Sequence, residues 1–67
     1  MSAIRVNGQT SPLRSGWRVA DLVEALGYAG RRVAVELNGA IVPKGRYHDV
    51  PLAAADRVEI VVAVGGG

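Results

Sequence analysis

The chain ends on V-E-I-V-V-A-V-G-G-G, where a run of β-branched residues stops at Gly65, Gly66 and Gly67. Glycine has no Cβ, so three in succession can lie extended in a channel too narrow for any side chain while their N–H and C=O groups hydrogen-bond to its walls. At about 3.3 Å per residue they would carry a terminal carboxylate roughly 10 Å beyond Val64. That reach suits insertion into another protein's active site while a folded domain docks outside.

A carboxylate is a poor electrophile. It becomes reactive when an oxygen attacks ATP to form an acyl-adenylate, and a sulfur nucleophile can then displace AMP, leaving a terminal thiocarboxylate. Such a group needs no thiol on the carrier, and the chain has no cysteine. The same absence excludes a disulfide framework and a thiolate metal site. Taken alone, the glycines also have the composition of a linker or fusion scar. A scar is not expected to follow a last strand so closely.

Other chemistry is sparse. His48 is the only histidine, and no serine, histidine and acid arrangement accompanies it. It reads as a surface turn residue. The segment G-A-I-V-P-K-G has glycines at both ends but lacks the Lys-Ser or Lys-Thr and long helix of a phosphate loop. Asp49, Asp56 and Glu59 lack calcium-loop spacing. An independent catalyst is not expected, and neither is a bound metal.

The elements that must position the tail belong to one small domain. A chain of 67 residues buries only roughly 60% of its unfolded surface, so a deep substrate cleft is not expected. Hydrophobic residues make up 49% and charged residues 21%, the balance of a packed protein. The net charge of +2 comes from eight cations against six acids. Apart from Arg31-Arg32 the cations are scattered, and only Trp17, Tyr28 and Tyr47 offer rings for stacking, so nucleic acid is not expected as a partner. No apolar run approaches the roughly 18 residues of a membrane span, and the amino end has no signal-like pattern. The expectation is a soluble, cytoplasmic protein.

Residues 3–7 alternate so that Ile4 and Val6 share a face, and Asn7-Gly8 suits a tight hairpin turn. A second strand over about Thr10 to Leu13 contains Pro12, which places it at a sheet edge. Val19, Leu22, Val23 and Leu26 then make one stripe of a two-turn helix, with Asp21 in its first turn and Gly27 as its stop. Arg18 stands where a capping side chain would work best. Val33, Val35 and Leu37 alternate with Arg32, Ala34 and Glu36 before a second turn at Asn38-Gly39 and a short strand, Ala40 to Val42, closed by Pro43. Residues 44–56 hold at most a single helical turn, with Tyr47, Val50 and Leu52 as anchors. The last strand puts Val58, Ile60, Val62 and Val64 on one face and Arg57, Glu59, Val61 and Ala63 on the other, and is apolar enough to be central.

A β-β-α-β-β-β order with one helix crossing over a mixed sheet is an α+β, β-grasp or ubiquitin-like, fold. The sequence divides into a single domain over 1–64 and a flexible glycine tail over 65–67. Ala34, Val61 and Ala63 point away from the helix-covered face and would form an apolar docking patch. The competing reading packs Val61 beneath a loop. Arg31, Arg32, Lys44 and Arg46 are candidates for steering, or simply solvated charges.

The V-A-D-L-V-E-A-L helix, V-A-V-E-L-N-G-A-I-V-P-K-G with its Asn38, D-R-V-E-I and the glycine end together resemble the thiamine-pathway sulfur carrier proteins of the ThiS type, over nearly the whole chain. Arg18 in place of a capping Thr, Tyr47 in place of Trp, and Gly65 in place of Ala depart from that pattern without touching Gly66-Gly67. The resemblance implies that Gly67 is adenylated by a ubiquitin-activating-like enzyme using ATP and magnesium. It further implies conversion to a thiocarboxylate, a 1-thioglycine, with sulfur from a donor system such as a cysteine desulfurase. The sulfur would pass to thiazole synthase. Gly65 and Gly66 would fit the partner's channel, Val64 would anchor the tail, and the catalytic groups would belong to the partners, with no cofactor stably bound. Rival readings are a molybdopterin-synthase small subunit, a protein modifier forming isopeptide bonds, and a β-grasp interaction domain that carries nothing.

Overall fold

The computed structural model describes residues 2–63. They form β1 (Ser2–Val6), β2 (Gln9–Leu13), α1 (Val19–Ala25), β3 (Val33–Leu37), β4 (Ala40–Val42), a 3₁₀ turn (Lys44–Arg46) and β5 (Arg57–Val62). This is the succession that the periodicity predicts. The domain boundary placed at Val64, and the glycine tail beyond it, lie outside the described residues.

Two hairpins frame the sheet, and each is set by its turn. Asn7 and Gly8 have φ of 51° and 83°, and Asn38 and Gly39 have 51° and 88°. Positive φ at both central residues gives the turn twist that matches paired strands, which is why Asn-Gly occupies both sites. The hairpins leave β1 and β3 each with a free edge, and β5 fills the gap between them. The resulting order is β2-β1-β5-β3-β4, with β5 parallel to β1 and antiparallel to β3. Pro12 lies on the edge strand β2, as its missing N–H requires.

One face of the sheet is covered. Ile4, Val35, Val42, Val58 and Ile60 from the strands pack with Val19, Leu22 and Val23 from α1 and with Tyr47 from the loop between β4 and β5. Val50 and Leu52 pack against this cluster from its margin, which fits the anchoring roles expected of all three loop residues.

The helix ends differ from the stripe expectation in one respect. Leu26 is not a core residue: α1 stops at Ala25, and Leu26 is the terminal cap residue, 39% exposed. Gly27 then takes φ of 83°, and its N–H and that of Tyr28 donate to the carbonyls of Glu24 and Val23. These two bonds make a Schellman motif, and the left-handed Gly27 turns the chain before Leu26 reaches the sheet.

At the other end the helix manages without a capping side chain at Arg18. The Val19 and Ala20 N–H groups donate to the carbonyls of Val50 and Tyr47, each at 2.9 Å, and the Asp21 carboxylate accepts the Arg18 N–H at 2.8 Å. A guanidinium has no lone pair to complete a reciprocal capping box. The long loop, not the sequence-local residue, satisfies the first donors. Arg18→Thr is therefore expected to change stability by less than ~0.5 kcal/mol, against ~1 kcal/mol for filling a vacant cap. Urea unfolding checks it, and a gain of the larger size would show that the loop carbonyls do not serve as the cap.

Candidate functional site

The proposed chemistry sits past the end of β5, so what holds β5 decides where that end points. Inward Val58 and Ile60 are 1% and 6% exposed, which seats the strand in the core. Its two neighbours then grip it through side chains as well as backbone. From the first hairpin turn, Asn7 accepts the Ile60 N–H at its Oδ1 (2.7 Å) and donates from Nδ2 to the Ile60 carbonyl (3.2 Å). One amide thus continues the parallel ladder past the last residue of β1.

The second turn does the same from the other side. Asn38 Oδ1 accepts the Arg57 N–H at 2.9 Å, the Asn38 N–H donates to the Arg57 carbonyl at 2.8 Å, and Nδ2 donates to Asp56 Oδ1 at 3.0 Å. Asp56 Oδ2 accepts the Ala53 N–H at 2.8 Å, closing the turn that leads into β5. In that turn Ala55 takes φ of 71°, a left-handed conformation that costs a residue with a Cβ about 1–2 kcal/mol. Its N–H donates to the Ala3 carbonyl at 2.8 Å, which helps hold it there.

Sequence reasoning assigned Asn7 and Asn38 to their turns and missed the grip on β5. The available signal was the choice of Asn at both sites, since its amide carries a donor and an acceptor on separate atoms and tolerates the left-handed φ of the turn. At the exit of the strand, Val62 pairs with Val33, and the Ala63 N–H donates to the Arg32 carbonyl at 2.9 Å. The chain is held in the sheet to that point. Val64, Gly65, Gly66 and Gly67 lie outside the described residues.

The residues expected to form a patch are exposed. Ala34 and Val61 are register partners on β3 and β5 and both are exposed, Val61 at 64%. Ala63 is exposed too. Val61 therefore does not pack beneath a loop. Ile41 on β4, also 64% exposed, adds a further apolar side chain that sequence reasoning did not single out. Of the cations considered for steering, Arg31 lies 5.7 Å from the Tyr28 ring centroid and Arg46 pairs with Asp49 at 3.4 Å. His48 is exposed in its turn, its carbonyl accepting from Arg18 at 3.4 Å. Among the described residues no cluster of His, Asp and Glu is placed to hold a metal ion, and no helix is long and apolar enough to cross a membrane.

Residues 4–67 match the ThiS family. The chain belongs to that family. It is 43% identical over 49 residues to the sulfur carrier protein ThiS of Bacillus subtilis, covering 73% of this chain and 74% of that protein. The ThiS crystal structure from Geobacter metallireducens, titled a thiamine biosynthesis protein, superimposes with a TM-score of 0.79 at 30% identity, covering 97% of this chain and 99% of the other. The ubiquitin-like β-grasp is thus the ThiS fold. A further relative is the thiazole synthase of Magnetococcus marinus, 39% identical over 64 residues, covering 96% of this chain but 20% of that protein. The ThiS-like region spans about a fifth of the length of such synthases.

Proposed function

We propose that the chain is a sulfur carrier of thiamine biosynthesis, a protein cosubstrate whose reactive group is the carboxyl of Gly67. The observation that carries this reading is the match to the ThiS family through Gly67, on a β-grasp whose last strand is held in the sheet as far as Ala63. An adenylating partner uses ATP and magnesium. A Gly67 carboxylate oxygen attacks the α-phosphorus, pyrophosphate leaves, and the acyl-adenylate forms. Hydrosulfide, or a donor equivalent to it, then adds to the acyl carbon and AMP leaves with the C–O bond electrons. The result is a thiocarboxylate in which one oxygen has been replaced by one sulfur.

Gly65 and Gly66 would thread the partner's channel and Val64 would brace them, while Ala34, Val61 and Ala63 meet the partner's surface. The acceptor in this reading is a thiazole synthase, supported by the relatives of that name that contain a region like this chain. The sulfur source would be a cysteine desulfurase system. We place the protein in the cytoplasm, where ATP and these enzymes meet.

The test is the intact mass after incubation with ATP, magnesium, the adenylating enzyme and a sulfur source. A gain equal to one sulfur for one oxygen, localised by fragmentation to Gly67, is expected. An unchanged mass with an active enzyme and an intact tail would overturn the reading.

A further inference from the structure

The sequence contains two Asn-Gly pairs, and the fold treats them differently. Each closes a two-residue turn, Asn7-Gly8 between the partners Val6 and Gln9, and Asn38-Gly39 between Leu37 and Ala40. Their φ values nearly coincide, and nothing crowds the place of a Cβ at either glycine. As backbones the two sites are equivalent. They differ in what the asparagine amide holds. Asn7 grips both the N–H and the C=O of Ile60, a residue only 6% exposed, through half-buried bonds. Asn38 holds the Arg57 N–H and Asp56 Oδ1 instead, and both of its bonds are exposed.

Asn-Gly is prone to modify itself, because glycine has no Cβ to shield its nitrogen. Once that nitrogen loses its proton to hydroxide, it attacks the asparagine Cγ, and the side-chain nitrogen leaves as ammonia while a succinimide ring closes. Water then opens the ring at either carbonyl, giving aspartate or isoaspartate. One water is consumed and one ammonia released, with no other reactant. Before any of this, Cγ must swing toward the glycine nitrogen, and the hydrogen bonds of the amide must break. We propose that Asn38-Gly39 is a site of spontaneous deamidation and that Asn7-Gly8 is its protected counterpart. This is independent of the carrier reading. Water replaces the exposed bonds of Asn38 as they break, whereas freeing Asn7 leaves both polar groups of Ile60 without these partners in a half-buried place. The product matters to β5. A carboxylate at position 38 still accepts the Arg57 N–H but cannot donate to Asp56. Two like charges then face each other where Nδ2 and Oδ1 lie 3.0 Å apart, which is destabilising. Isoaspartate also lengthens the main chain inside a two-residue turn whose length sets the hairpin register. Either product loosens the clamp at the start of the central strand.

The experiment follows the full chain in warm, mildly alkaline buffer, folded and unfolded in urea, by peptide mapping that separates asparagine, aspartate and isoaspartate at each site. In urea the ratio of the rate at position 38 to the rate at position 7 reflects local sequence alone. In the folded protein that ratio is expected to be at least roughly tenfold larger, the factor that one half-buried hydrogen bond supplies. A folded ratio no larger than the ratio in urea would overturn the inference. So would a folded chain that converts at neither site while the unfolded chain converts at both. The variant Asn38→Asp stands for the aspartate product and is expected to melt roughly 4–8 °C below wild type. Melting at the wild-type temperature would overturn the second half of the inference, the loosened start of β5.

Discussion

A chain lacking Gly66 and Gly67 is expected to lose sulfur transfer to thiazole synthase completely while melting within about 1 °C of the full-length protein. The two halves of this expectation have separate physical grounds. Among the described residues the buried core ends at Ile60, and the last described backbone bond of the final strand is made by Ala63. Tolerance to truncation is judged by the burial and hydrogen bonding of the backbone removed. The chemistry responds in the opposite way. Removing two residues draws the carboxylate back by roughly 7 Å, and misplacing a reacting atom by even about 1 Å can cost a hundredfold in rate. Product formation in a coupled thiazole assay, read beside a thermal melt, tests both. Transfer that survives the deletion would remove Gly67 as the carrier atom's residue. A large fall in melting temperature would show that the glycines are structural.

How far the sequence reveals this depends on the range over which each residue acts. Asn-Gly specifies its turn from two adjacent residues, Pro12 marks an edge because the lost donor is its own, and Gly27 stops the helix through its own φ. These features were legible. The Asn7 contacts reach across 53 positions and the Asn38–Arg57 contact across 19, and no local pattern encodes them. The helix start shows the same limit: Arg18 reads as a poor cap, yet carbonyls at 47 and 50 serve the donors. Val61 was left with two readings because alternation gives a face without saying whether a loop covers it.

Asn7→Gly is expected to lower stability by about 2–4 kcal/mol, because two half-buried bonds to Ile60 disappear while the turn keeps its shape. Glycine accepts the φ of 51° that Asn7 adopts, so the substitution isolates the side-chain amide from the turn. Both the N–H and the C=O of Ile60 lose these partners, and each unsatisfied group costs about 1–3 kcal/mol. Against the roughly 3–10 kcal/mol that a domain of this size has in total, the loss is large. The melting temperature is expected to fall by roughly 10–25 °C. Asn7→Ala should fall further, since alanine adds the left-handed penalty of about 1 kcal/mol. Asn38→Gly should cost less than Asn7→Gly, because its bonds are exposed and water can replace them. The ranking Ala below Gly at position 7, with Gly at 38 nearest wild type, is read by urea unfolding of the three variants. If Asn7→Gly were neutral, the parallel ladder would hold β5 without the amide, and the exit at Ala63 would owe its position to the core alone.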